Sequence, residues 1–301
     1  MSLKFIKTNV GFYNSKTISR DGTCKVYKTM IQQSNVSNNQ CIEIDGVRYQ
    51  VGYGSRDISE KNESKTHIIC TYYNILSNCD DGDEVVLITV LPMKNFLNDD
   101  YVQVYKNTFL QTPKIKGVVD GVSKSVTLID VIVYMEGASV VNLYDEVFDD
   151  KTIGLIDIGG NTINVGVFVD GELNVKTAHT MPLGTIKLER KLIDELDKKL
   201  NWSIQTYEVA DIFSSEDANM RKVVDEVCIE FVNDIFNSLL EYNWNVYNLK
   251  LFCTGGGSKL LQKYLADKFK YITFSKNAIF DNVNGLGYIE ELIQNDYKEK
   301  H

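Results

Sequence analysis

The chain reads as an α/β protein of two domains, and three observations carry that prediction. Residues 3–20, LKFIKTNVGFYNSKTISR, and residues 152–169 both read as strand, glycine-containing turn and strand. Each pair is followed by segments with apolar residues at helical spacing, so the two halves open alike and then supply helices. The length of 301 residues, with 44% hydrophobic and 24% charged content, suits a soluble globular chain able to bury two cores. No low-complexity linker separates the halves.

In the first half, residues 1–53 alternate apolar and polar positions, with turns at Asp21-Gly22 and Asp45-Gly46, the pattern of hairpins. Glu60–Leu76 is expected to be helical, with His67, Ile68, Cys70, Tyr72 and Ile75 partly on one face. Asn78–Asp83 reads as a polar turn and Glu84–Leu91 as a buried strand, ended by Pro92 because proline cannot continue a central ladder. A helix is expected from Met93. Lys114–Val119 and Val122–Asp130 read as a hairpin over Asp120-Gly121, 130–134 as a strand, and Met135–Phe148 as a helix ending at Asp149-Asp150.

The second half opens with strands at Thr152–Asp157, Asn161–Val169 and Glu172–Thr180, the last two joined by Asp170-Gly171. Gly184–Leu200 is amphipathic, with Leu188, Leu192 and Leu196 spaced by four. Residues 214–244 hold a longer helix that Ser215 can cap, and its stripe of Val223, Val227, Phe231, Ile235 and Leu239 reads as core. Leu249–Cys253 is a strand, Lys259–Phe269 and Asn282–Gln294 are helices, and the polar tail 295–301 is expected to fray.

The net charge of −9 argues against direct coating of nucleic acid or of an anionic membrane, so any DNA contact is expected to pass through a basic adaptor. No apolar run approaches the roughly 18 residues of a membrane span, and no signal peptide is read at the N-terminus. The cysteines at 24, 41, 70, 79, 228 and 253 form no CxxC pair, and there are only three histidines. A zinc site is not expected, and the thiols read as reduced in a cytoplasm.

Three motifs carry chemistry. In LIDIGGNTINVGVF (155–168) an apolar run leads into Asp157, then Gly159, Gly160, Asn161 and Thr162. Glycines can take positive φ and expose backbone N–H groups to an anion, while the acid repels a bare phosphate and so calls for a cation between them. The segment reads either as a site for a metal-chelated phosphate or as an ordinary hairpin. In the N-terminal hairpin Asn9 precedes Gly11, Phe12, Tyr13 and Asn14, and Lys16 lies beyond, placed to reach phosphate oxygens as a point charge. In LKLFCTGGGSKLLQ (249–262) a strand ends at Thr254, and Gly255, Gly256 and Gly257 turn it into a helix beginning at Lys259, capped by Ser258 or Gly257. Neither GxGxxG nor GxxxxGK[ST] occurs in the chain.

In this order and at these separations the motifs resemble those of the actin-like ATPase superfamily, and within it the ParM-like plasmid-segregation actins of bacteria. Asn9–Lys16 looks like the first phosphate loop, Asp157–Thr162 the second and Thr254–Gly257 the adenosine loop. EVVLITVLPMKNF (84–96) looks like the family's strand ending in a Leu-Pro turn, DVIVYMEGASVVNLY (130–144) like the segment with its catalytic glutamate, and DNVNGLGYI (281–289) like the start of its C-terminal helix. The resemblance implies an actin-like fold of two ribonuclease-H-like domains facing a nucleotide cleft. Domain I would cover 1–148, with 282–301 packing back on it, and domain II 149–281.

It further implies hydrolysis of ATP, or of GTP, with Mg²⁺ held by Asp157 through its waters. Glu136, at the start of a helix, would orient or deprotonate the attacking water. The glycine turns and Lys16 would hold the phosphates, and Thr254–Gly257 with Lys259 the adenosine side. Lys187, Lys222 and Glu226 are further candidates there, although surface charge on a solvated helix is the better account of them. Where the family usually has an acid, this chain has Asn9, whose oxygen carries no charge for the metal. The implied partners are further copies of the chain, in a polymer, and a DNA-bound adaptor of ParR type at a centromere-like plasmid site. No direct nucleic-acid or membrane partner is implied. A small-molecule kinase of the same superfamily and a weakly hydrolysing cytoskeletal scaffold are the alternative readings.

Overall fold

Strands and helices are mixed along the computed structural model, which describes residues 2–35, 40–149, 151–205 and 208–300. Asp150, half of the acidic pair expected at 149–150, and the tail's last residue, His301, lie outside these. The chain divides into two compact units, Met1–Asp145 with Phe280–His301, and Glu146–Ile279.

The first unit begins with β1 (Leu3–Val10), β2 (Asn14–Ile18), β3 (Cys24–Lys28), β4 (Ile31–Gln33), β5 (Cys41–Ile44) and β6 (Val47–Val51). There follow α1 (Lys65–Asn78), β7 (Glu84–Leu91), α2 (Met93–Phe96), α3 (Asp99–Leu110), β8 (Lys114–Val119), β9 (Val122–Met135) and α4 (Ala138–Val141). Its sheet runs β3-β2-β1-β7-β9-β8-β5-β6-β4. The central strands β1, β7 and β9 are parallel. Strand β7 is apolar at nearly every position because both its faces are covered. Val85, Leu87 and Leu91 join Ile69, Ile75, Tyr105 and Phe109 of α1 and α3, while Val86, Ile88 and Val90 pack against Leu286 and Ile289 near the C-terminus.

After α5 (Asp145–Phe148) the second unit holds β10 (Thr152–Ile158), β11 (Ile163–Val169), β12 (Glu172–Met181), α6 (Thr185–Leu200), α7 (Val209–Ser214), α8 (Ala218–Glu241), β13 (Lys250–Thr254), α9 (Gly256–Lys268) and β14 (Ile272–Phe274). The sheet order is β12-β11-β10-β13-β14. Ile156, Ile158, Val165 and Cys253 pack with leucines of α6 and the stripe of α8. An aromatic group covers other residues of this sheet, with Phe148 5.7 Å from Phe168 and 5.6 Å from Phe252. Finally α10 (Asp281–Lys300) belongs to the first unit and continues through the stretch expected to fray.

Several local expectations need correction. Strand β9 runs unbroken to Met135, because pairing with β7 from Glu84↔Thr127 to Leu91↔Met135 supplies a ladder partner beyond residue 130. The segment after it is two short helices rather than one of fourteen residues, and α1 starts at Lys65 rather than Glu60. Asp217, not Ser215, caps α8, accepting from the N–H groups of Asn219 and Met220 at 3.0 and 2.9 Å. Helix α9 is capped by Gly255, and Ser258 instead donates its hydroxyl back to the Gly255 carbonyl at 2.7 Å.

Candidate functional site

In the second unit β10 and β13 are parallel with Asp157 opposite Thr254, so the Gly159-Gly160 and Gly255–Gly257 turns leave the sheet side by side at its carboxyl edge. That edge is where ligands of open α/β sheets bind. Asp157 is 4% exposed and Thr254 fully buried. The first turn is closed by the Gly159 N–H donating to the Thr162 carbonyl at 2.9 Å. The Gly159 and Gly160 carbonyls accept from the N–H groups of Thr185 and Ile186 in the first turn of α6, at 3.1 and 2.9 Å. In a trans peptide the N–H points opposite to the carbonyl. The N–H groups of Gly160 and Asn161 therefore point away from α6, and no backbone carbonyl among the described residues accepts from them. Two such groups in succession form a concave anion site.

Close packing dictates the glycines around this turn. A Cβ on Gly184 would lie 2.2 Å from the Gly160 carbonyl oxygen. One on Gly255, whose φ is +83°, would lie 2.4 Å from Asp157 Oδ1, and one on Gly257 2.3 Å from Ile158 Cγ2. Gly256 is exposed, and its position has open space.

In the first unit Asn9 pairs with Lys16 across the β1–β2 hairpin. The turn is closed by Gly11 donating to the Asn14 carbonyl at 3.1 Å. Asn9 Oδ1 and Lys16 Nζ each lie 3.8 Å from where a Cβ on Gly11 would sit, so the amide and the ammonium share one side of the turn. Asn9 is 3% exposed, and its Oδ1 has no hydrogen-bond partner. The Tyr13 ring is covered by the Arg56 guanidinium at 4.1 Å, and the Tyr13 carbonyl accepts from the Thr29 N–H. Phe12 lines a cavity of about 10 Å³ with Val10, Gly11, Asp57, Lys61 and His67.

Glu136 sits between β9 and α4, not at a helix start, and its N–H extends the ladder by donating to the Leu91 carbonyl at 2.8 Å. The registers Lys7↔Ile88 and Leu91↔Met135 bring the ends of β1, β7 and β9 to one carboxyl edge, so the Asn9 hairpin and Glu136 leave the same side of this sheet. The carboxylate accepts from Lys61 Nζ at 2.9 Å, with side-chain exposures of 11% and 3%. On its other side the Gly137 N–H donates to Asn282 Oδ1 at 2.7 Å, anchoring the turn to α10. His67 is held neutral by burial and then by the Lys61 charge, and its Nε2 lies 2.9 Å from the Tyr105 hydroxyl.

A cavity of about 250 Å³ lies among α7, α8 and α9 in the second unit. Its walls include Ile212, Phe213, Arg221, Asp225, Lys259 and Tyr264. Tyr264 donates to Asp225 at 2.7 Å, which holds that carboxyl below its usual range. Of the helix charges named as candidates for the adenosine side, none lines this cavity, and Glu226 pairs with Lys199 at 2.8 Å. The residues that do line it, Arg221 and Asp225, escape a one-dimensional reading, as does Lys61.

Residues 9–138 match the family model described as actin like proteins N terminal domain. Over the whole chain, the crystal structure of Ta0583, an archaeal actin homolog, superposes with a TM-score of 0.81, covering 95% of this chain and 99% of that one at 15% identity. The fold is actin-like. Ta0583 in complex with ADP matches this actin-like chain at TM-score 0.78 and 16% identity, over 93% and 97% of the two chains. A ParM from Clostridium botulinum, solved in a 15-stranded filament, matches at 0.77 and 17%, over 95% and 98%. The comparison with curated proteins gave no match.

Proposed function

We propose that this chain is a nucleotide-dependent, filament-forming ATPase that moves plasmid DNA through a DNA-bound adaptor. The observation that carries the reading is the pair of N–H groups at Gly160 and Asn161, turned outward beside the Gly255–Gly257 turn with Asp157 buried at their base. A bare anion suits the N–H pair but not the acid, whereas a magnesium-chelated phosphate suits both. No group of three or more His, Cys, Asp or Glu among the described residues forms a protein cage for a metal. A single carboxylate, with phosphate oxygens and waters completing the shell, is how magnesium is commonly held in such sites.

Bound Mg-ATP or Mg-GTP supplies the scissile γ-phosphate and the cation that offsets its charge. Asp157 holds the ion through its waters. Gly160 and Asn161 donate to phosphate oxygens, with Gly159 and Thr162 closing the turn, and Lys16 adds a point charge from the Asn9–Lys16 hairpin. The buried, unpartnered Asn9 Oδ1 accepts from a donor that the nucleotide complex brings. Gly11, Phe12, Tyr13 and Asn14 shape that hairpin. Glu136 orients the attacking water. Thr254, Gly255, Gly256, Gly257 and Lys259 line the adenosine side, where the cavity with Phe213 and Tyr264 takes the base.

Copies carrying nucleotide join head to tail, a heterologous contact that does not close. The net charge of −9 leaves DNA contact to a basic adaptor of ParR type. No helix among the described residues is long and apolar enough to cross a membrane, and we place the protein in the cytoplasm.

Light scattering and sedimentation of the purified chain, with and without Mg-ATP or Mg-GTP, test the proposal. Nucleotide-dependent sedimentation with release of inorganic phosphate is expected. Soluble monomers at high concentration that transfer phosphate to a metabolite would instead mark a kinase. Nucleotide-dependent assembly without phosphate release would mark a scaffold.

A further inference from the structure

We infer that Lys61 is a positioning residue for nucleotide hydrolysis, acting through Glu136 and never touching the nucleotide itself. The inference rests on the assignment of Glu136 above and adds a residue that the three motifs do not contain.

The geometry is that of a fixed clamp. Lys61 is 2% exposed and makes two bonds from one ammonium, to Glu136 Oε1 at 2.9 Å and to the Val90 carbonyl at 3.1 Å. Val90 lies on β7, the strand paired to β9 through Leu91↔Met135, one residue short of Glu136. The ammonium therefore ties the carboxylate to the ends of both strands. The residue before Lys61 is held from two sides. The Glu60 carboxylate accepts from the Tyr101 hydroxyl at 2.8 Å and from Asn95 Nδ2 at 3.1 Å. The Glu60 carbonyl accepts from the Ser64 N–H at 2.8 Å, and the Ser64 side chain in turn caps α1 and donates to Asp57 Oδ2 at 2.7 Å.

Burial gives the clamp its force. A buried lysine is retained only where its charge is paired. The cavity beside it, about 10 Å³, has room for about one water molecule, so solvent screens the pair little. An ammonium committed to Oε1 fixes the rotation of the carboxyl group. On the far side, the Asn282 bond to the Gly137 N–H prevents the turn from following the carboxylate if the clamp is released.

Steady-state phosphate release from Mg-ATP, at protein concentrations below assembly, tests this with Lys61→Met, Glu136→Gln and the double variant. Lys61→Met is expected to lower kcat about 100-fold with KM within about twofold of wild type, the cost of misplacing a reacting group. The double variant should be no slower than Glu136→Gln alone, since a residue that acts only through Glu136 has nothing left to position. Thermal unfolding should show Lys61→Met less stable than the double variant, because the single change strands a buried carboxylate. If Lys61→Met fails to fold, the comparison of Glu136→Gln with the double variant still decides. An unchanged kcat in Lys61→Met, or a double variant slower than Glu136→Gln by a further large factor, overturns the inference. Wild-type protein that binds and hydrolyses Mg-ATP while Lys61→Met does so equally well refutes the lysine's role alone. Wild-type protein that does neither refutes the nucleotide assignment and this inference with it.

Discussion

The turn after Asn9 and the turn after Asp157 share a strand–turn–strand frame and differ in what each offers a ligand. The Asp157 turn is a backbone device. The Gly159 and Gly160 carbonyls are bonded to the start of α6, the Gly160 and Asn161 N–H groups point away from it, and the neighbouring Gly184, Gly255 and Gly257 leave no room for a Cβ. The Asn9 turn is a side-chain device. It places an ammonium and an amide oxygen on one side of a hairpin whose single glycine, Gly11, lies 3.1 Å from its nearest neighbour were a Cβ added. Each turn thus works by its own means, with shape set by steric exclusion in one and charge carried by a long side chain in the other.

The largest effect expected from this contrast is steric. Gly184→Ala puts a methyl group 2.2 Å from the Gly160 carbonyl oxygen, and backbone on both sides must shift. We expect a loss of about 3 kcal/mol, the upper end for overpacking, and loss of nucleotide binding. Gly11→Ala should cost under about 1 kcal/mol, because its neighbour needs to give by only a few tenths of an ångström. Both tryptophans, Trp202 and Trp244, belong to the second unit, so denaturant titration followed by their fluorescence reads the Gly184 change directly. Circular dichroism follows the Gly11 variant in the first unit. Equal losses in the two variants would erase the distinction between the turns.

Next in size is the charge at the base of the backbone turn. Asp157→Asn keeps the shape and removes the carboxylate. Affinity for a fluorescent ATP analogue should fall on the order of 50-fold at saturating magnesium and hardly at all in chelator, as expected for a group that acts through the cation. A loss of the same size without magnesium would mean that Asp157 holds the turn together rather than the metal.

Much of this frame was legible because it depends on local rules. Asp45-Gly46, Asp120-Gly121 and Asp170-Gly171 all take positive φ at both residues, the conformation that two-residue hairpins demand and that Asp-Gly advertises. The nearly continuous apolar run of β7 marked a buried strand. What stayed hidden depends on distant partners. Glu136 was expected near the start of a Met135–Phe148 helix, and pairing with β7 instead carries the strand through Met135. Lys61 lies in the polar stretch Lys61–Ser64 and meets Glu136 from 75 residues away, so periodicity gives no hint of its burial. Arg221 and Asp225 differ from Lys222 and Glu226 by one step along α8. Which pair lines the cavity is decided by contact with Tyr264 of α9, not by composition.

A smaller effect should separate the side-chain turn from the backbone turn in kind. Lys16→Met should weaken nucleotide binding about tenfold, the worth of one charge-assisted bond, and by the same factor with magnesium or with chelator. Set beside Asp157→Asn, this gives a two-by-two comparison of variant and metal. A Lys16 effect that vanished in chelator would move the lysine into the metal's sphere.

The smallest expected change is also the most specific to this chain. Asn9 Oδ1 is buried and unpartnered, so the position already bears the cost of an unsatisfied acceptor. Asn9→Asp replaces it with a carboxylate of nearly the same shape. Burying that charge is costly by itself, but the Lys16 ammonium shares this side of the hairpin and offsets part of the cost. On the proposed reading, the remaining negative charge acts on the cation that accompanies the phosphates. At an effective dielectric near 20, a water-separated carboxylate and divalent ion attract by a few kcal/mol, most of it lost to desolvation and to competition from Lys16. A net gain of about threefold in magnesium-dependent nucleotide affinity follows, with the midpoint of a magnesium titration moving to lower concentration. Superimposable titrations of the two proteins would show that the Asn9 oxygen meets a donor other than a metal-bound water, and the first turn would then act on the phosphates through Lys16 alone.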